Sequence, residues 1–354
     1  MILKTLRSAG AATILSTQAL ATTPAITTFD PPGSTKTFAV AINSAGVIAG
    51  YYEDSAKHGH AFIRAPDGTV TVFDPKGSYY TSAAAINDAG SITGYFSDGN
   101  CGHHGCLAHA YIRAADSIIT PFAAHYSLEP TGITKGGIVV GSTVFYNKKV
   151  GILEGFERFA GGVVVRFALG EGIVPYGVND RRVTTGVDLN NGQHGFIRSA
   201  NGTVMDFDPA GSGETTSVSI NNSGSVTGRY FDNKNVLHGF VRTADGTVTA
   251  FDPSGAAQTY PWCINNSGRI VGAYIDKRGF SHGFIRTSNG TISRFDVPGA
   301  GAINTFGSGT TPLGMNAKGE IAGYYTDSNN VQHGFVRSAP CEFPLPRNEA
   351  KSYP

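Results

Sequence analysis

Between residues 220 and 253 the chain reads INNSGSVTGRYFDNKNVLHGFVRTADGTVTAFDP, in which apolar and polar positions alternate in runs of four to six residues. That period of two predicts strands, and the glycine-bearing turns between the runs predict antiparallel hairpins. Residues 217 to 221 form a first strand, and Asn222-Ser223-Gly224 a tight turn of residues that accept positive φ. Residues 225 to 230 form a second strand, and 232 to 237 loop over to a third at 238 to 242. Ala244-Asp245-Gly246 turns into a fourth at 247 to 252, and Pro253, lacking an N–H, ends the ladder. On the third strand His238, Phe240 and Arg242 share one face, with Gly239 and Val241 on the other. No stretch has helical periodicity over the length a helix needs.

This unit recurs. Its Ile-Asn-x-x-Gly element starts at Ile42, Ile86, Ile220 and Ile264, with weaker forms at Ile133, Val178 and Met315. The His-Gly-Phe element starts at His60, His109, His194, His238, His282 and His333, with Glu154 in the third copy. The Phe-Asp-Pro element falls at Phe29, Phe73, Phe207, Phe251 and Phe295, with Phe122 and Phe167 as degenerate members. Phe29 precedes the first Ile-Asn, and no such element follows His333. A closed ring would join that spare strand to the incomplete last unit. Four short strands in about 44 residues match one propeller blade. The expectation is an all-β fold: a single seven-bladed β-propeller whose last blade is closed by residues 27 to 30 pairing with 333 to 337. Stacked blades cover both sheet faces, which makes Phe240 a core residue, and a small residue before each Ile-Asn suits a crowded inner strand.

The 47 glycines suit such tight turns. Residues 1 to 21 read as a secretory signal, with Lys4 and Arg7, an apolar stretch from Ala9 to Leu15, and Ala19-Leu20-Ala21 for cleavage. The domain organisation expected is a signal peptide over 1–21, the propeller over 22–338 and a C-terminal tail over 339–354. The apolar stretch is too short for a membrane span, and the expected location is secreted or periplasmic. Removing the signal takes away two cations and no acid, so the formal net charge falls from +1 to −1. A near-neutral chain without basic runs is a poor nucleic-acid binder. Cys101 and Cys106 bracket Gly-His-His-Gly, and a disulfide is the expected state in an exported protein. Metal ligation by Cys101, His103, His104 and Cys106 and free thiols are the alternatives; the spacings differ from the Cys-x-x-Cys of structural zinc. Cys263 stands where other copies have Ala, Gly or Ser and reads as a small buried residue. No cofactor and no metal site is expected, and the chain is expected to be a monomer.

The repeat resembles the HAF family of probable extracellular repeats, named for elements such as His60-Ala61-Phe62 and its His-Gly-Phe versions here. The resemblance covers roughly residues 26 to 338. It implies an exported β-propeller and implies no activity.

A residue present in every copy serves the ring, since otherwise seven identical sites would be needed. The complete series Arg64, Arg113, Arg158, Arg198, Arg242, Arg286 and Arg337 reads as strand-end residues pairing with carboxylates. The recurrent His and Asp read as a blade clasp rather than catalytic apparatus.

Departures are the functional candidates, and they gather in units two to four. Phe-Asp-Pro fails at Phe122 and Phe167, His-Gly-Phe becomes Glu154-Gly155-Phe156, and the loop holding Cys101 to Cys106 is lengthened. The up-down strand order brings the loops concerned to one face. The catalytic candidates there are His125, Tyr126, Glu129, Tyr146, Lys148, Glu154 and Glu171; the ligand-binding candidates are Tyr126, Tyr146, Lys148, Tyr176 and, in unit six, Trp262. Aromatic rings stack on sugars, so the expected function is binding of a glycan or cell-surface ligand on the loop face of blades two to four. The alternative is a polysaccharide-degrading enzyme on the same face. A lyase would use Tyr126, His125 or Tyr146 as base and Lys148 against a uronate carboxylate. A glycoside hydrolase would pair Glu129 with Glu154 or Glu171 at about 5 to 9 Å. No Walker loop, dinucleotide fingerprint, Gly-x-Ser-x-Gly elbow or His-Glu-x-x-His occurs.

Overall fold

The computed structural model describes residues 24 to 339 apart from 100, 103–104, 107, 123–126, 148–149, 168–171, 191 and 302–307; of 101–102, 105–106, 144–147 and 150–152 it describes the backbone alone. Every regular element among the described residues is a strand. Unit five shows why. Its strands Ser212–Ile220, Val226–Asp232, Leu237–Arg242 and Val248–Phe251 form an antiparallel meander in which Val226 faces Arg242 and Phe240 faces Ala250. The first strand starts earlier than the alternation suggests, because Ser212 pairs with Asp232 and carries the ladder back to the Gly211 turn.

The meanders are arranged as a β-propeller, but the sheet count differs from expectation. Counted as continuous hydrogen-bonded sheets, five have four or more strands, three of them four-stranded and two eight-stranded, rather than seven separate blades. The physical reason is local. Single parallel pairings, Gly59 with Tyr80 and Ser281 with Gly309, join the third strand of one unit to the first of the next.

The first and last described strands meet. Ile26–Phe29 pairs antiparallel with the final strand, Ile26 opposite Arg337 and Phe29 opposite Gly334. The pairing lies one residue upstream of the expected span because Asp30 is used differently: its carboxylate sits 2.7 Å from His333 Nδ1. An edge that would otherwise template aggregation is thereby covered.

Three series of contacts bind unit to unit. Phe240 is fully buried and meets Phe207 of the preceding unit edge-on, with centroids 5.8 Å apart. Gly228 makes room for that ring, since a Cβ there would lie 2.8 Å from it and 2.2 Å from the Thr216 carbonyl. Burying such a side chain contributes roughly 1.5–3 kcal/mol. The repeated arginines pack first on rings rather than on the expected carboxylates, though Arg198 also reaches Glu157. Arg242 Cζ lies 5.0 Å from the centroid of Phe207, and each of the seven makes the equivalent contact, ending with Arg64 over Phe29. The face of the ring attracts the guanidinium, and Nη1 donates to the next carbonyl, as from Arg242 to Thr243.

The third series circles the axis at the turns after the first strands. Asn43 Nδ2 donates to the Asn87 carbonyl and Asn87 to Thr134; Asn179 donates to Asn221, Asn221 to Asn265, Asn265 to Asn316, and Asn316 back to Asn43, at 2.9 to 3.2 Å. The one asparagine link missing among the described residues is at Thr134, which has no amide to give; a second link, from the following N–H to the next unit, is kept there as in other units, Lys135 N–H donating to Asp180 Oδ1 at 2.7 Å as Ser44 N–H does to Asp88. Units three and four add an ion triad. Buried Glu157 occupies a position held by Ile or Val in the other copies and receives Arg182 (3.1 Å to each oxygen) and Arg198 (3.4 Å).

Candidate functional site

Each first strand carries a β-bulge just before its small residue, and the bulged side chain turns toward the axis. These side chains, Val40, Ala84, Thr131, Tyr176, Val218, Trp262 and Leu313, line a central cavity of about 580 Å³ together with Tyr51 and Ser82. Five of the seven are small, branched or aliphatic. Tyr176 and Trp262 are the exceptions, and both were candidates from sequence.

Around this cavity the wall differs from one side to the other. On the side of units one, two and seven Tyr51 lines it with an aromatic cluster at its back: Phe38 stacks on Tyr51 at 4.8 Å and meets Tyr324 edge-on at 5.1 Å, and Tyr51, Tyr80 and Tyr95 follow at 6.0 and 6.4 Å. Burial, with Tyr95 next, pushes the Tyr51 phenol up to about 12, against the hydrogen bond it shares with Tyr80; burial raises Tyr80, Tyr95 and Tyr324 as well. These phenols are neutral at any physiological pH, so they offer stacking surface and hydrogen bonds rather than a base. Exposed Glu129 stands close enough to help raise Tyr95.

On the side of units five and six a cation lies behind the lining residue Trp262. Arg229 occupies the position that Tyr51, Tyr95 and Tyr324 hold in their units. Its guanidinium carbon lies 5.1 Å from the Trp262 ring and 5.7 Å from Tyr260, two rings that stack 15° from parallel. Burial pulls its pKa below the usual arginine value, with Tyr176 and Tyr260 opposing. It remains cationic, since an arginine is not deprotonated in proteins. Arg229 Nη1 and Trp262 Nε1 are both buried without a hydrogen-bond partner. Two neighbouring donors thus lie buried and unpartnered behind the Trp262 ring that lines the cavity, where an acceptor, above all an anionic one, would satisfy them.

Of the remaining sequence candidates, the structure describes the side chains of Glu129 and Glu154. Glu154 lies on the strand Val150–Arg158, where Arg166 pairs with it at 3.0 Å. The backbone of Tyr146 pairs with Gly151, and its side chain, like residues 125, 126, 148 and 171, lies outside what the structure describes. Cys101 and Cys106 face each other across a two-residue hairpin, their side chains likewise outside the description. Cys263 is a free thiol packed beneath Met315, its pKa raised by burial. Arg229 was missed in the sequence although Gly228-Arg229-Tyr230, beside Gly50-Tyr51-Tyr52 and Gly323-Tyr324-Tyr325, marks it.

The rim histidines work within their own units. His238 Nδ1 is 2.6 Å from Asp252, with Asp232 3.6 Å from Nε2, and His60, His194, His282 and His333 pair alike. Burial lowers the His238 pKa, but Asp252 and then Asp232 outweigh it, and the net shift is upward.

No family model and no curated protein matches the chain. Among solved structures it is similar to the acylaminoacyl peptidase of Pyrococcus horikoshii, with 11% identity and a TM-score of 0.57 over 85% of this chain and 51% of that one. It is similar to a puromycin hydrolase, with 11% identity and a TM-score of 0.54 over 90% and 56%. The lectin BP39L of Burkholderia pseudomallei aligns with 11% identity and a TM-score of 0.47 over 87% and 97%. The chain spans about half the length of the two hydrolases. At such identity the likeness shows the fold alone, and the class of protein is accordingly an all-β propeller.

Proposed function

We propose that this is an exported propeller, secreted or periplasmic, that binds a glycan bearing an acidic group at the mouth of its central cavity. The observation that carries the reading is the pair of unpartnered donors, Arg229 Nη1 and Trp262 Nε1, set on the Tyr260–Trp262 stack. Flat rings fit the apolar face of a sugar, and a guanidinium with free N–H groups fits a carboxylate. Tyr176, which lines the same cavity, extends the site toward unit four. In the enzyme alternative Glu154 would act while paired with Arg166.

Two further readings belong to the proposal. We count seven blades, treating each eight-stranded sheet as two meanders joined by one parallel pairing; the seven Arg–Phe contacts support that count. Membership of the HAF repeat family, and a disulfide between the facing Cys101 and Cys106, go with it.

The test is calorimetric titration of the protein with uronate-containing and neutral oligosaccharides of matched length, for wild type, Arg229→Gln and Trp262→Ala. Losing a charge-assisted hydrogen bond of roughly 1.5–3 kcal/mol weakens binding about 10- to 100-fold. Arg229→Gln should lose that much for the acidic ligands alone, and Trp262→Ala for both classes, with thermal midpoints unchanged. Full affinity in both variants would remove the site from the mouth. Unsaturated product in the same mixtures would replace the binding reading with the lyase one.

A further inference from the structure

We propose that the loop after the second strand of unit one is a binding site for a late first-row divalent metal ion, with Zn2+ as its representative, held by Asp54, His58 and His60. His58 Nδ1 and His60 Nε2 each lie 3.5 Å from Asp54 Oδ2, and the three atoms all fall within 4.8 Å of one another. Ligands about 2.0–2.1 Å from a tetrahedral ion stand roughly 3.3–3.4 Å apart, so two edges of the required triangle are already near their bound length.

The orientation of each ligand is set from behind. His60 Nδ1 is held at 2.8 Å by Asp74 Oδ2, which assigns the ring proton to that nitrogen and turns the Nε2 lone pair outward. Asp54 Oδ1 accepts the N–H groups of Ala56 and His58 at 2.8 and 2.9 Å, leaving Oδ2 for a cation. The ring of Tyr79 packs edge-on against His58 at 4.6 Å. All three ligands are partly exposed, so an ion has a path in and a water can complete the coordination. Two imidazoles with one carboxylate favour zinc-like ions over calcium or magnesium, which prefer all-oxygen sites.

The molecule supplies its own controls. In units five, six and seven the same His–Asp pair recurs at 3.6 to 3.7 Å, and the loop repeats the same two backbone caps. In those units the position of His58 is held by Val236, Phe280 and Val331. One substitution therefore separates a clasp from a triad, and the fold already accepts valine there.

The experiment titrates Zn2+, and Co2+ as an optical probe, into the untagged full chain and its His58→Val variant. Wild type should bind one ion with a Co2+ spectrum free of thiolate charge-transfer bands. His58→Val should weaken that binding more than about 100-fold while its melting midpoint without metal stays put. Val236→His should add a second equivalent. Wild type without saturable binding, or His58→Val binding like wild type, overturns the assignment.

Discussion

Asn221 joins two units and caps a turn at once, so its replacements can be graded. Its Nδ2 donates to the Asn265 carbonyl at 3.0 Å, while Oδ1 accepts from the Ser223 and Ser225 N–H groups at 3.1 and 2.9 Å. The side chain is 4% exposed. Unit three shows what threonine does in this place: Thr134 Oγ1 still caps Ile138 N–H at 3.0 Å, but the side-chain amide link to the next unit is gone. Asn221→Thr should therefore cost about one inter-unit hydrogen bond, roughly 0.5–1.5 kcal/mol. Asn221→Ala also leaves the Ser225 N–H without its acceptor, adding about 1–3 kcal/mol. At roughly 2 °C per kcal/mol for a chain of this size, the threonine variant should melt about 1–3 °C lower and the alanine variant about 3–9 °C lower. Differential scanning calorimetry at one scan rate reads both. Alanine and threonine variants that melt together would refute the division into a turn cap and an inter-unit link.

The His238 clasp should be sensitive to pH. Its folded pKa is raised, so its contribution is full below the unfolded histidine value and fades as pH climbs through the folded one; the melting gap between wild type and His238→Gln should be wider near about pH 5.5 than near about pH 8, and a gap that ignores pH would count against the ion pair. Phe240→Ala empties a fully buried ring site and should destabilise by about 3–5 kcal/mol; denaturant midpoints check it, and a loss below about 1 kcal/mol would mean the ring is not a core element.

The strands were legible because alternation and turn glycines act locally, and Phe29 ahead of the first Ile-Asn announced the closure. What crosses from one unit to the next was hidden. Arg242 lies beside a carboxylate in the sequence, yet its partner is Phe207 in the preceding unit. The merging of blades through Gly59 and Tyr80 depends on how two loops approach, which periodicity does not encode. The mouth was half visible. Trp262 and Tyr176 stand out as bulky residues on inner strands, whereas Arg229 sat in the most regular copy, where comparison of whole elements treats one changed position as noise. Comparing only axis-facing positions separates it at once.

The strand that seals the ring has an origin remote from its partner. Ala25 N–H donates to Ser338 Oγ at 2.8 Å across a sequence separation of 313 residues. Closing so long a loop in an unfolded chain costs several kcal/mol of entropy, so this pairing forms last, once the other units have brought the ends together. Until then Gln332–Arg337 is an open edge, and the Ile26–Phe29 of another molecule fits it as well as its own. Dilute refolding should yield closed rings, while crowded refolding should yield strand-swapped chains of them, each blade complete but shared between two molecules.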